Sequence, residues 1–83
     1  MTEKEVKALL ESWVSGNIDS YEWDYFISVK SKNPRLEAIR QECGEIWVSG
    51  SPYLETPHRI TLTLSKLGVE KVRKLIAELE SAT

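Results

Sequence analysis

Cysteine is almost missing from this 83-residue chain, with Cys43 its one thiol. A single cysteine forms no internal disulfide and no cysteine-based zinc site. A small domain without staples must hold itself by packing, and a lone free thiol fits a reducing cytoplasm. Histidine is equally scarce: His58 stands alone, which excludes a histidine-rich metal site, and no cofactor is expected. Gly44, Gly50 and Gly68 are isolated, so no glycine-rich phosphate loop exists. No apolar run exceeds three residues, as at Ile46-Trp47-Val48, whereas a membrane span needs about 20. The opening Met-Thr-Glu-Lys-Glu holds no signal-peptide core. A cytoplasmic protein with no membrane partner is expected. The net charge of −2 argues against a general nucleic-acid binder.

What is present is helical. Hydrophobic residues make up 41% and charged residues 29%, a globular composition. The length allows one domain over residues 1–83. A chain this short buries only ~60–65% of its unfolded surface, which leaves little room for a deep catalytic cleft. Val6, Leu9, Leu10, Trp13 and Val14 form one helical stripe. Thr2 and Glu5 have capping-box spacing, Glu3 and Lys7 stand at i, i+4, and Gly16 supplies a stop, so the first helix spans about 3–15. Asp19 caps a second helix, with Ile18 and Trp23 as a staple and Trp23, Phe26 and Ile27 on one face. It ends before Ser31-Lys32-Asn33. Asn33-Pro34 opens a third helix with Leu36, Ile39, Cys43, Ile46 and Trp47 inward. Gly44 within it marks either a close helix approach or an early end. Ser65 caps a fourth, with Val72, Leu75, Ile76 and Leu79 buried and a Glu70–Lys74 pair.

Residues 49–64 are irregular. Ser49-Gly50-Ser51-Pro52 and Thr56-Pro57 are loop signals, yet residues 59–64 alternate polar and apolar at strand period. An extended segment laid across the helices is expected, with a hairpin to Ile46–Val48 as the alternative. The fold class is all-α, a four-helix single domain with one irregular connection at 49–64. The alternating 59–64 segment and the burden of hiding three tryptophans in one small core also admit a homodimer.

Residues Gly16 to Ile27, then Pro34 to Cys43, resemble a widespread family of small bacterial proteins. Its pattern is roughly G-x-I-x-x-x-E-W-D-x-F-I, a gap, then D/N-P-x-L-E-x-I-R-x-x-C. Leu64 to Gly68 is similar to its Leu-x-x-x-Gly helix start. The match covers residues 16–43 well and the rest loosely. The resemblance implies no transferable catalytic residue. Some proteins of this kind look like immunity or antitoxin partners of secreted toxins.

The chemistry can be weighed residue by residue. Cys43 lies on an apolar stripe, where free cysteine behaves as a small hydrophobe rather than a nucleophile. His58 follows a proline in a loop and reads as solvated. The carboxylates sit at capping and surface spacings, so no enzyme is expected. Lys30, Lys32, Arg35 and Arg40 give residues 25–40 a net +3 around a helix–turn–helix spacing, the basis for a nucleic-acid alternative. Glu42 and Glu45 on the later turns oppose it. Residues 3–24 hold two lysines against six acids, a net −4. There Tyr21 and Tyr25 stand at i, i+4 among Glu22 and Asp24, with Glu11 and Asp19 near. Tyrosines flanked by acids are good interface anchors, and the set is similar to that with which colicin-type nuclease immunity proteins hold a basic toxin. The expected function is therefore a non-enzymatic interaction module, immunity-like or antitoxin-like, whose partner is a basic protein. A nucleic-acid regulator and a structural or assembly protein are the alternatives.

Overall fold

Each helix begins where a side chain takes over the unpaired N–H groups of a first turn. A computed structural model describes residues 2–48, 51–55 and 63–81. It places four helices: α1 (Glu3–Ser15), α2 (Ser20–Ser28), α3 (Pro34–Ile46) and α4 (Lys66–Ser81). At α1, Thr2 Oγ1 accepts from Glu5 N at 3.2 Å and Glu5 Oε1 accepts from Thr2 N at 2.9 Å. Gly16, at φ 81°, ends α1, and Asn17 N reaches back to Ser12 O at 2.9 Å. This αL stop needs glycine because a Cβ strains at positive φ. Asp19 Oδ1 accepts from Tyr21 N and Glu22 N at 2.8 and 3.1 Å. Asn33 Oδ1 accepts from Arg35 N and Leu36 N at 2.9 and 3.3 Å. Ser65 Oγ accepts from Gly68 N at 3.1 Å.

The caps set the helices in register for one all-α core. Val6, Leu9, Leu10 and Trp13 of α1 meet Trp23 and Phe26 of α2, Leu36, Ile39, Cys43 and Ile46 of α3, and Val72, Leu75 and Leu79 of α4. The most extensive packing is α1 on α4, followed by α2 on α3. The Cα radius of gyration is 11.8 Å, the value of about 12 Å that compact domains of this length reach. The tryptophans fit a single core. Trp13 and Trp23 are buried at 4.3 Å between ring centroids, and Trp47 meets Trp23 edge to face at 5.7 Å. Their number therefore supplies no argument for a dimer. Trp23 Nε1 is buried without a hydrogen-bond acceptor among the described residues, a cost on the order of 1–3 kcal/mol that the ring's packing must offset.

Four local expectations change. Among the described residues no hairpin involves Ile46–Val48: Ile46 is the buried last residue of α3 and Trp47 caps it. The strand-like contact is made instead by the 51–55 segment. An isolated antiparallel bridge joins Leu54 and Leu64, flanked by Glu55 N to Thr63 O and Ser65 N to Tyr53 O, both 2.9 Å. Residues 59–62 of the alternating segment, and His58, lie outside the described residues. The 51–55 segment presses on α4: a Cβ built on Gly68 would collide with Tyr53 O and lie 2.9 Å from its carbonyl carbon. Gly44 needs no such room, since its Cβ would sit 3.8 Å from Ile27 Cδ1, an ordinary contact inside a continuous α3. Finally, Glu3 pairs with Arg35 at 3.4 Å and Lys7 with Glu80 at 3.2 Å rather than with each other. Among the described residues Glu70 and Lys74 form no ion pair, and Lys71 approaches Glu42 at 3.9 Å.

Candidate functional site

Only Asn17, Ile18 and Asp19 separate the glycine stop of α1 from the first residue of α2, so the chain folds back and lays α2 beside α1. Trp23 and Phe26 turn inward on α2, which forces Tyr21 and Tyr25 outward. They are 84% and 55% exposed, far above the other aromatic side chains described. Between the two helices runs an open groove of about 700 Å³, lined by Glu5, Ala8, Leu9 and Ser12 of α1 and Tyr21, Glu22 and Tyr25 of α2. Ala8 is small, and this opens the groove between its larger neighbours. The backbone N–H and the hydroxyl of Thr2 hold the Glu5 carboxyl below its ordinary range, so it stays charged at the groove wall.

The structure thus brings together three of the six expected partner-binding residues: Tyr21, Glu22 and Tyr25. Asp19 lies at the end of the same helix, with one carboxylate oxygen occupied as the α2 cap. Asp24 and Glu11 are exposed but line neither groove edge. Sequence reasoning did not assign Glu5, Ala8, Leu9 or Ser12. The signal was the spacing of Glu5, Ala8 and Ser12, a second stripe on α1 beside the apolar one.

The basic cluster is divided. Arg35 donates from Nη2 to Glu78 O and Leu79 O at 2.7 and 2.8 Å, closing the C-terminal end of α4. Arg40 donates from Nη1 to Ile27 O at 2.8 Å near the end of α2, and holds Glu37 through Nε at 2.8 Å and Nη2 at 2.6 Å. That bidentate grip, with the Ser31 N–H, lowers the Glu37 carboxyl to about 2. Both arginines are therefore internal fasteners at helix ends. Lys30 and Lys32 remain exposed, and with Tyr25 and Val29 they border a second depression of about 260 Å³.

Cys43 is buried in the core, and desolvation pushes its thiol up to about 12. The thiolate needed for nucleophilic attack is suppressed there. Among the described residues, no group of three or more His, Cys, Asp or Glu side chains could hold a metal ion. No helix among them is long and apolar enough to cross a membrane. Compared with models of known protein families, with curated proteins and with solved structures, the chain matches none.

Proposed function

We propose that this protein is a non-enzymatic interaction module that receives a basic segment of a protein partner in the α1–α2 groove. The observation that carries the reading is the pair of exposed tyrosines, Tyr21 and Tyr25, set against the carboxylates of Glu5 and Glu22 in one groove. Tyrosine offers large contact area at low rotamer cost, with a polar tip for a hydrogen bond. The carboxylates attract cations, speed encounter and select the partner. An immunity-like or antitoxin-like protein that covers a basic toxin has this chemistry, and it is the specific role we assign. The nucleic-acid alternative gains no support, because Arg35 and Arg40 are spent on carbonyls and carboxylates of the fold.

The reading is tested by co-purification with the products of adjacent genes, then by calorimetric titration of the Tyr21→Ala/Tyr25→Ala double variant. Removing two anchors should cost about 2 kcal/mol or more, roughly a 30-fold loss of affinity. Both side chains are exposed, so the far-UV circular dichroism should not change. Wild-type affinity in the double variant would remove this face from consideration.

A further inference from the structure

Two carboxylates face the α1–α2 groove, those of Glu5 and Glu22, and no lysine, arginine or histidine lines it among the described residues. The two carboxylates are not equivalent. Glu5 Oε1 already accepts from Thr2 N at 2.9 Å, which fixes the side chain and leaves one oxygen unclaimed. Glu22 gives only its backbone N–H to the Asp19 cap, and neither of its carboxylate oxygens has a partner among the described residues. Tyr25 stands at i+3 from Glu22, so its exposed ring is a neighbour of that carboxylate on the helix surface. Ala8 and Leu9 add an apolar stretch to the same lining.

An aromatic face beside a carboxylate with both oxygens free matches a flat cation that carries paired N–H groups. A guanidinium stacks on the ring and donates two parallel bonds to the carboxylate, whereas an ammonium is a hydrated point charge without a flat face or a fork. A quaternary ammonium has no N–H for the carboxylates and calls for a cage of rings, while here a single helix supplies both tyrosines. There is room for one cation only. Beyond Tyr25 the next depression is bordered by Lys30 and Lys32, which repel further positive charge. We propose that the groove captures one arginine side chain of a protein partner. Its methylene stem lies on Ala8 and Leu9, and its guanidinium stacks on Tyr25 and forks onto Glu22. Glu5 adds negative charge from the α1 wall. This inference rests on the partner reading and sharpens it, from a basic segment to one arginine that lysine does not replace.

The probe is a blocked alanine peptide with one central arginine, compared with its lysine and citrulline counterparts. Each is titrated to about 10 mM against the isotope-labelled chain and read by amide NMR shifts. The arginine peptide should shift the amides of Ala8, Ser12, Glu22 and Tyr25 and saturate with a dissociation constant on the order of 1 mM. The lysine peptide should bind about fivefold to tenfold more weakly, and the uncharged citrulline peptide should not saturate. Glu22→Gln should weaken arginine binding about tenfold and erase its advantage over lysine. Glu5→Gln, which keeps the capping-box hydrogen bond, should weaken both peptides alike. Tyr25→Leu should weaken arginine binding about fivefold, whereas Tyr25→Phe, which keeps the ring, should leave it unchanged. Glu5, Glu22 and Tyr25 are exposed, and unchanged circular dichroism separates lost binding from lost fold. Equal affinity for the arginine and lysine peptides overturns the arginine assignment and leaves the basic-partner reading standing. That reading fails on a different result, wild-type affinity of the tyrosine double variant for the co-purified partner. No groove shift with the arginine peptide overturns the proposal, as do groove shifts that grow with protein concentration alone and so put a second copy there.

Discussion

Replacing Gly68 by alanine puts a methyl group where the chain has no room. Its Cβ would collide with Tyr53 O, lie 2.9 Å from Tyr53 C and 3.1 Å from Leu64 Cδ2. Two of the three obstacles are backbone atoms, which cannot rotate aside. The 51–55 segment must lift, and this strains the Ser65 N to Tyr53 O bond of 2.9 Å and the Ser65 Oγ to Pro52 O bond of 2.7 Å. Overpacking of this kind costs about 1–3 kcal/mol. Loosening one hydrogen bond adds about 0.5–1.5 kcal/mol. The helical preference of alanine offsets at most about 1 kcal/mol. The net expectation is a loss on the order of 2 kcal/mol, or roughly 10 °C in Tm for a domain of this size. Gly44→Ala is the matched control. It gains the same helical preference, and its methyl group finds only Ile27 Cδ1 at 3.8 Å. It should be neutral or stabilising by up to about 1 kcal/mol. Urea titrations followed by tryptophan fluorescence would show the midpoint falling for the first variant and holding or rising for the second, with unchanged slopes. Equal midpoints for the two variants would refute the close approach.

Two further outcomes follow from the arginine fasteners. Arg35→Met leaves the carbonyls of Glu78 and Leu79 without their donor; a loss of about 1.5–3 kcal/mol is expected by chemical denaturation. Amide exchange should speed first at the end of α4, and Arg35→Lys should not rescue it, because an ammonium lacks the planar fork. Glu37, lowered to about 2 by Arg40, binds its proton more weakly folded than unfolded. Its stabilisation is present above the ordinary carboxylate range and is lost as pH falls from about 4.5 toward about 2. Glu37→Gln should flatten that part of an acid-unfolding curve, and an identical acid limb in the variant would contradict the assignment.

What the sequence made legible was local. Thr2 with Glu5, Asp19, Asn33-Pro34 and Ser65 each act within three residues, so their spacing alone marks where helices begin. The apolar stripes named the core for the same reason. What stayed hidden depends on which residue lies opposite. Arg35 looked like a nucleic-acid contact until α4 placed its last carbonyls 2.7 and 2.8 Å away. Gly68 looked idle until the 51–55 segment crossed it. The candidate site divides in the same way. Tyr21, Glu22 and Tyr25 follow from the periodicity of α2, whereas Glu5, Ala8 and Ser12 join them only because α1 lies alongside.

The packing of α1 on α4 also orders events in time. Fifty residues separate Ser15 from Lys66, so the principal helix pair of the core is also the one most distant along the chain. Closing so long a loop is entropically costly and slows the step that requires it. α2 and α3, joined by a short turn, can meet early. α1 is made before the other three helices; Trp13 can meet Trp23 once α2 follows, but the part of the Val6, Leu9, Leu10 and Trp13 face that α4 covers stays open until α4 has been made. During that interval this apolar face of α1 is open to contact with other proteins.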